Sequence, residues 1–159
     1  MKWCVVILAS LLVTATALAG DYRLTVANDK HASCVRGPAA QGHPDWPVLT
    51  AKEVSDDLFR YFQGKTPHLK LFVPFFTNAR ITFCGAEERR EVYEAMVAIL
   101  QLPSIRNEFD LYDYCYLLGS RELLGLIDLQ LRQKLSSAIA KRLQKARAAV
   151  LKGLKARHQ

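Results

Sequence analysis

The sequence predicts a mainly α, single-domain bundle of about five helices, with an irregular N-terminal segment and a long cationic amphipathic helix at the C-terminal end. Three observations lead there. Apolar residues recur at helical spacing through most of the chain after residue 50. Capping and breaking residues punctuate those stretches at the offsets helix ends require. No fixed-period repeat and no low-complexity linker divides the chain, so one hydrophobic core is the simplest account.

Residues 1–19 have the pattern of a secretory signal peptide. Lys2 precedes an apolar run at residues 5–12, and small residues follow up to Ala17, Leu18 and Ala19 before Gly20. That run is short for a bilayer span, and no later stretch approaches about 18 uninterrupted apolar residues. The expectation is therefore a secreted, extracellular protein, soluble once the leader is removed. Asn28, Asn78 and Asn107 lack the Ser or Thr two places on that N-glycosylation needs, so it is expected to be unglycosylated.

Export removes Cys4 and leaves Cys34, Cys84 and Cys115 in an oxidising compartment. Cys115 has Leu111 four residues before it and Leu118 three after, the spacing of a thiol on a buried helix face. Cys34 and Cys84 are then the disulfide candidates, closing a loop of about fifty residues for roughly 4 kcal/mol in the chain-entropy picture. The competing arrangement bonds Cys34 to another chain and buries the other two as small hydrophobes.

Residues 20–49 have little periodicity and carry turn residues at Gly37, Pro38, Gly42, Pro44 and Pro47, as expected of extended chain wrapped on a core. A short strand is allowed at residues 22–26. The helical domain, residues 50–159, opens where Thr50 and Glu53 form a capping box. Its first helix runs towards Gly64, with Val54, Leu58, Tyr61 and Phe62 on one face and Lys52, Asp56 and Asp57 towards water. Residues 69–84 read either as a buried strand or as a short helix opening at Thr66 and Pro67 and broken before Pro74; the helix is favoured.

Glu87 and Glu88 then suit the positive end of a helix that buries Val92, Met96, Ile99 and Leu100 and stops at Pro103. Ser104 is the expected cap of the next, with Ile105, Phe109, Tyr112, Cys115 and Leu118 towards the core and Gly119 and Ser120 closing it. The last helix is drawn as one element over residues 121–157. Its apolar stripe is Leu124, Ile127, Leu131, Leu135, Ile139, Leu143, Ala146, Val150 and Leu154, close to the straight-helix period. Unbroken, it would extend on the order of 54 Å, longer than a domain of this size, so its end should project or bend back.

Charge is concentrated at that end. Residues 129–159 hold nine Lys and Arg and no Asp or Glu, whereas residues 20–128 are mildly acidic. This is either a basic appendage that meets something anionic, or the longest bundle helix with its basic face solvated or docked onto the acids of neighbouring helices. No phosphate loop, zinc-protease helix motif, nucleophile elbow or Cys-x-x-Cys pair accompanies it. His31, His43, His68 and His158 are the neutral-pH bases, none in a catalytic context. His31 with Cys34 is a loose metal-ligand spacing, incompatible with a disulfided Cys34. Asp56 with Asp57, Glu87 with Glu88, and Asp110 with Asp113 read as solvated or dipole-facing charge. The dibasic pairs Arg89-Arg90 and Lys141-Arg142 lie within helical patterns that a processing enzyme would not accept.

No catalytic residue, metal or cofactor is therefore assigned, and the protein is expected not to be an enzyme. The candidate polyanion- or partner-binding residues are Lys141, Arg142, Lys145, Arg147, Lys152 and Lys155. The expected partner is an extracellular protein or an acidic polymer, in a signalling, recognition or matrix role. The alternative is a membrane-active or antimicrobial protein that lays the same helix on an anionic membrane surface. Nucleic acid is disfavoured, because the tail lacks the interleaved aromatic side chains on which bases stack.

Overall fold

A computed structural model describes residues 23–26, 48–68 and 80–157. Among them are five helices: α1 (Ala51–Phe62), α2 (Ala86–Leu100), α3 (Glu108–Leu118), α4 (Arg121–Leu131) and α5 (Ser137–Ala156). The mainly α bundle is thus the observed architecture. The expected signal peptide, Cys34 and most of the irregular segment lie outside the described residues.

Three short strands, β1 (Arg23–Val26), β2 (Val48–Leu49) and β3 (Arg80–Phe83), line the edge of the bundle as a parallel sheet in the order β2-β1-β3. The pairing runs from Arg23 opposite Arg80 to Val26 opposite Phe83. This corrects the helix favoured for residues 69–84: residues 80–83 are strand, and residues 69–79 lie outside the described residues. The reason is a partner that a local pattern cannot supply. Ile81 and Phe83 alternate with exposed Thr82 and pack on the core, and β1 offers them a ladder. Cys84 lies directly after β3, and its expected partner Cys34 is outside the described residues. Cys115 is a free, fully buried thiol, and burial pushes its pKa up to about 12.

The first helix follows its sequence signals closely. Thr50 Oγ1 accepts from the Glu53 N–H at 3.1 Å while Glu53 Oε2 accepts from the Thr50 N–H at 2.8 Å, completing the capping box. Val54, Leu58 and Phe62 enter the core against Val92, Met96, Ile99 and Leu100 of α2. Asp57, expected to face water, is buried instead.

Two helix boundaries differ from expectation. The third helix starts at Glu108 rather than after Ser104, because residues 101–107 form a loop in which the Arg106 N–H donates to the Phe62 carbonyl and Asn107 adopts a left-handed conformation. That start leaves Leu111, Tyr114, Cys115 and Leu118 on the buried seam of α3 and puts Phe109 on the opposite side, 79% exposed. Phe109 is therefore not a core residue. Tyr112, also expected inside, is half-buried beside it.

The helix drawn over residues 121–157 is two helices. Residues 132–136 break it, and Ser136 caps the second by accepting from the Ile139 N–H. No Gly or Pro marks this break. Its cause is burial: α5 folds back so that both helices enter one core, with Leu123, Ile127, Leu143, Ala146 and Val150 fully buried. Every residue of the expected stripe, from Leu124 to Leu154, is buried or packed against that core.

Candidate polyanion-binding surface

The face of α5 that meets water is determined by how closely its other face docks. A Cβ at Gly153 would collide with the Tyr116 carbonyl of α3, and one at Gly119 would lie 3.1 Å from the Val150 Cα. These positions admit only glycine while the backbones stay where they are. With Leu143, Ala146, Val150 and Gly153 held inward, the residues on the opposite arc face solvent. Lys141, Lys145, Lys152 and Lys155 are all exposed and fall within about 80° of arc, extending over about 21 Å of helix.

Arg142 does not belong to that row. It is 6% exposed. Its Nε donates to Glu108 Oε1 at 2.8 Å, and its Nη1 donates to the carbonyls of Leu100 at 3.1 Å and Leu102 at 2.6 Å. A buried guanidinium is tolerable because its planar set of donors is matched by a carboxylate and two carbonyls. Those carbonyls lie at the C-terminal end of α2, whose own last turn contains no basic residue. Arg147 is also engaged, donating to Asp128 of α4 at 2.7 Å on a half-exposed surface. Of the six residues singled out by sequence, four are exposed on the surface and two serve the fold.

Arg157 repeats the pattern. Its Nη1 donates to the carbonyls of Tyr116 at 3.2 Å and Leu117 at 2.9 Å, and its Nη2 donates to that of Gly119. Together these cover the C-terminal end of α3, which likewise has no basic residue in its last turn.

Beside the lysine row the fold places two aromatic side chains that sequence reading sent to the core. The Tyr112 ring meets that of Phe109 edge-on, with centroids 6.5 Å apart and an interplanar angle of 90°. The Lys145 ammonium lies over the Tyr112 ring, 5.8 Å from its centroid. The Tyr112 hydroxyl donates to Glu108 Oε2 at 3.0 Å. Burial and that carboxylate both raise the Tyr112 pKa, so the phenol stays neutral. The sequence signal that could have separated these rings from the core was the second apolar seam, Leu111, Cys115 and Leu118, which runs through the same stretch on another face.

Two of the three carboxylates nearby, Glu108 and Asp110, have hydrogen-bond partners within the fold. Burial alone would raise Glu108, but the hydrogen bonds from Arg142 and Tyr112 and the charges of Arg142 and Lys145 hold its pKa below the ordinary value. Asp110 Oδ2 accepts the Tyr61 hydroxyl at 2.5 Å. Asp113 is raised by burial and by the charge of Asp110, with Lys152 partly offsetting both. Among the described residues no three His, Cys, Asp or Glu side chains come together as a metal site, and no helix is long and apolar enough to cross a membrane. The chain matches no protein-family model, no curated protein and no solved structure.

Proposed function

We propose that this is an exported, non-catalytic binding protein that holds an acidic macromolecule along Lys141, Lys145, Lys152 and Lys155. The observation that carries this reading is the segregation of charge on α5. The arginines at 142 and 147 have acidic partners within the fold, whereas these four lysines share one exposed face. Their ammonium groups reinforce one another along a line, which raises the local concentration of an anionic polymer.

The burial of Leu143, Ala146 and Val150 favours this over the membrane-active alternative, since a docked α5 has already used the apolar face that a bilayer would need. A disulfide between Cys84 and Cys34 belongs to the same proposal, as the staple of an extracellular domain.

Retention on a heparin column tests the reading. The variant with all four lysines changed to Gln should elute at much lower salt than wild type, with an unchanged circular dichroism spectrum. Wild-type retention should itself fall steeply as salt rises, because exposed charges are screened over about 8 Å at physiological ionic strength. Full retention by the variant would overturn the assignment. Leakage of anionic vesicles by wild type, abolished by Val150→Asp, would favour the membrane-active alternative instead.

A further inference from the structure

Phe109 is the anomaly on this surface. It is 79% exposed, against 51% for Leu129 and 38% for Leu151, the other exposed large apolar side chains among the described residues. Burying a Phe side chain is worth roughly 1.5–3 kcal/mol, and the fold forgoes that here. It does so beside the lysine row: Tyr112 touches the Phe109 ring on one side and the Lys145 ammonium on the other.

Resting on the reading of α5 above, we propose that the acidic macromolecule is an anionic polysaccharide, and that Phe109, Tyr112 and Lys145 form the subsite that seats one of its sugar rings. A pyranose presents a face of C–H groups, apolar and slightly positive, that matches the negative face of an aromatic ring. Its sulfate or carboxylate substituents would lie within reach of Lys145, and the polymer would continue along Lys152 and Lys155. Of the two carboxylates flanking Phe109 in sequence, Glu108 is paired with Arg142, and Asp110 accepts the Tyr61 hydroxyl.

The geometry separates this occupant from others. Single-stranded nucleic acid is held by successive platforms on which bases stack in parallel. Here the two rings are perpendicular and offer no parallel pair of platforms, whereas one sugar ring needs only a single aromatic face. An anionic bilayer needs a broad apolar face, and that of α5 is inside the protein.

The test compares two polyanions of matched charge, a heparin oligosaccharide and inorganic polyphosphate, titrated into wild type and Phe109→Ala. Because Phe109 is exposed, its removal should leave the fold intact. The expected result is about a tenfold loss of heparin affinity with polyphosphate affinity unchanged, and recovery of heparin affinity in Phe109→Trp. No loss for heparin, or an equal loss for both polymers, would overturn the sugar subsite while leaving the lysine row standing. Heparin and polyphosphate affinities that both survive the four Lys→Gln changes would instead remove the underlying reading of α5. Tighter, Phe109-dependent binding of oligothymidylate than of heparin would assign the ring to bases and overturn the proposal. Phe109-dependent binding to phosphatidylglycerol vesicles would overturn it in favour of a lipid surface.

Discussion

Along α5 and the residue that caps it, the arginines hydrogen-bond to other helices and the lysines face water. Arg142 and Arg157 cover the carbonyl ends of α2 and α3, and Arg147 bridges to α4. Lys141, Lys145, Lys152 and Lys155 remain in water. The two residue types carry the same charge, so net charge says nothing about this division. Donor geometry does. A guanidinium offers a rigid planar fork that can satisfy a carboxylate and two carbonyls together, while an ammonium is a compact, strongly hydrated charge that loses more when withdrawn from water. A cationic helix can thus dock as part of a bundle and still present a cationic face.

The largest expected effect tests the inward half of that contrast. Arg142→Ala removes the donor of two carbonyls and of Glu108 Oε1 and should cost about 3 kcal/mol in chemical denaturation. Arg142→Lys keeps the charge without the fork and should recover less than half of the loss. If the lysine variant were as stable as wild type, charge alone would explain the site and the contrast would fail.

Next in size is the close approach that sets which face is inward. Gly153→Ala inserts a methyl group into the Tyr116 carbonyl, and should cost about 2 kcal/mol despite alanine's better helix propensity. Gly125, in α4, has nothing within 4 Å of a Cβ, so Gly125→Ala should stabilise by about 0.5–1 kcal/mol. Thermal melts of the two variants moving in opposite directions would locate the constraint at the α3–α5 contact.

A pH series sharpens the comparison further. The Glu108 pKa is lower in the folded state than in the unfolded chain, so its contribution is complete above the unfolded value and disappears as the pH falls through the folded one. The stability gap between wild type and Glu108→Gln should therefore be widest near neutrality and shrink as the pH falls below the ordinary carboxylate range. A gap independent of pH would show that the Arg142 pairing works through shape rather than charge.

The smallest effects belong to the outward half. Each of Lys141, Lys145, Lys152 and Lys155 changed to Gln should alter stability by less than about 0.5 kcal/mol, although the four together remove heparin retention. A large destabilisation from any one would place it with the arginines.

Much of the fold was legible locally. Thr50 with Glu53, and the stripes Val54–Leu58–Phe62 and Val92–Met96–Ile99, needed no tertiary information, because capping and the helical period act over one or two turns. The same period carried the core stripe correctly across residues 132–136, even though the helix itself is broken there. The candidate site was legible as a stretch but not as a surface. All nine tail cations are apparent in the sequence, yet which ones are consumed depends on Leu100, Leu102, Glu108 and Asp128, and at least 19 residues separate each of these from the arginine it binds.

Residue order alone yields a mainly helical chain with its cations gathered at one end and most of its apolar stripes on faces that become buried. The tertiary structure alone decided the parallel pairing of β1 with β3, the reversal between α4 and α5, the exposure of Phe109 and the division between arginine and lysine. Helical period and caps are written in neighbouring residues. Strand partners, close backbone approaches and carbonyls in need of a donor come from distant segments and exist only once the core has assembled.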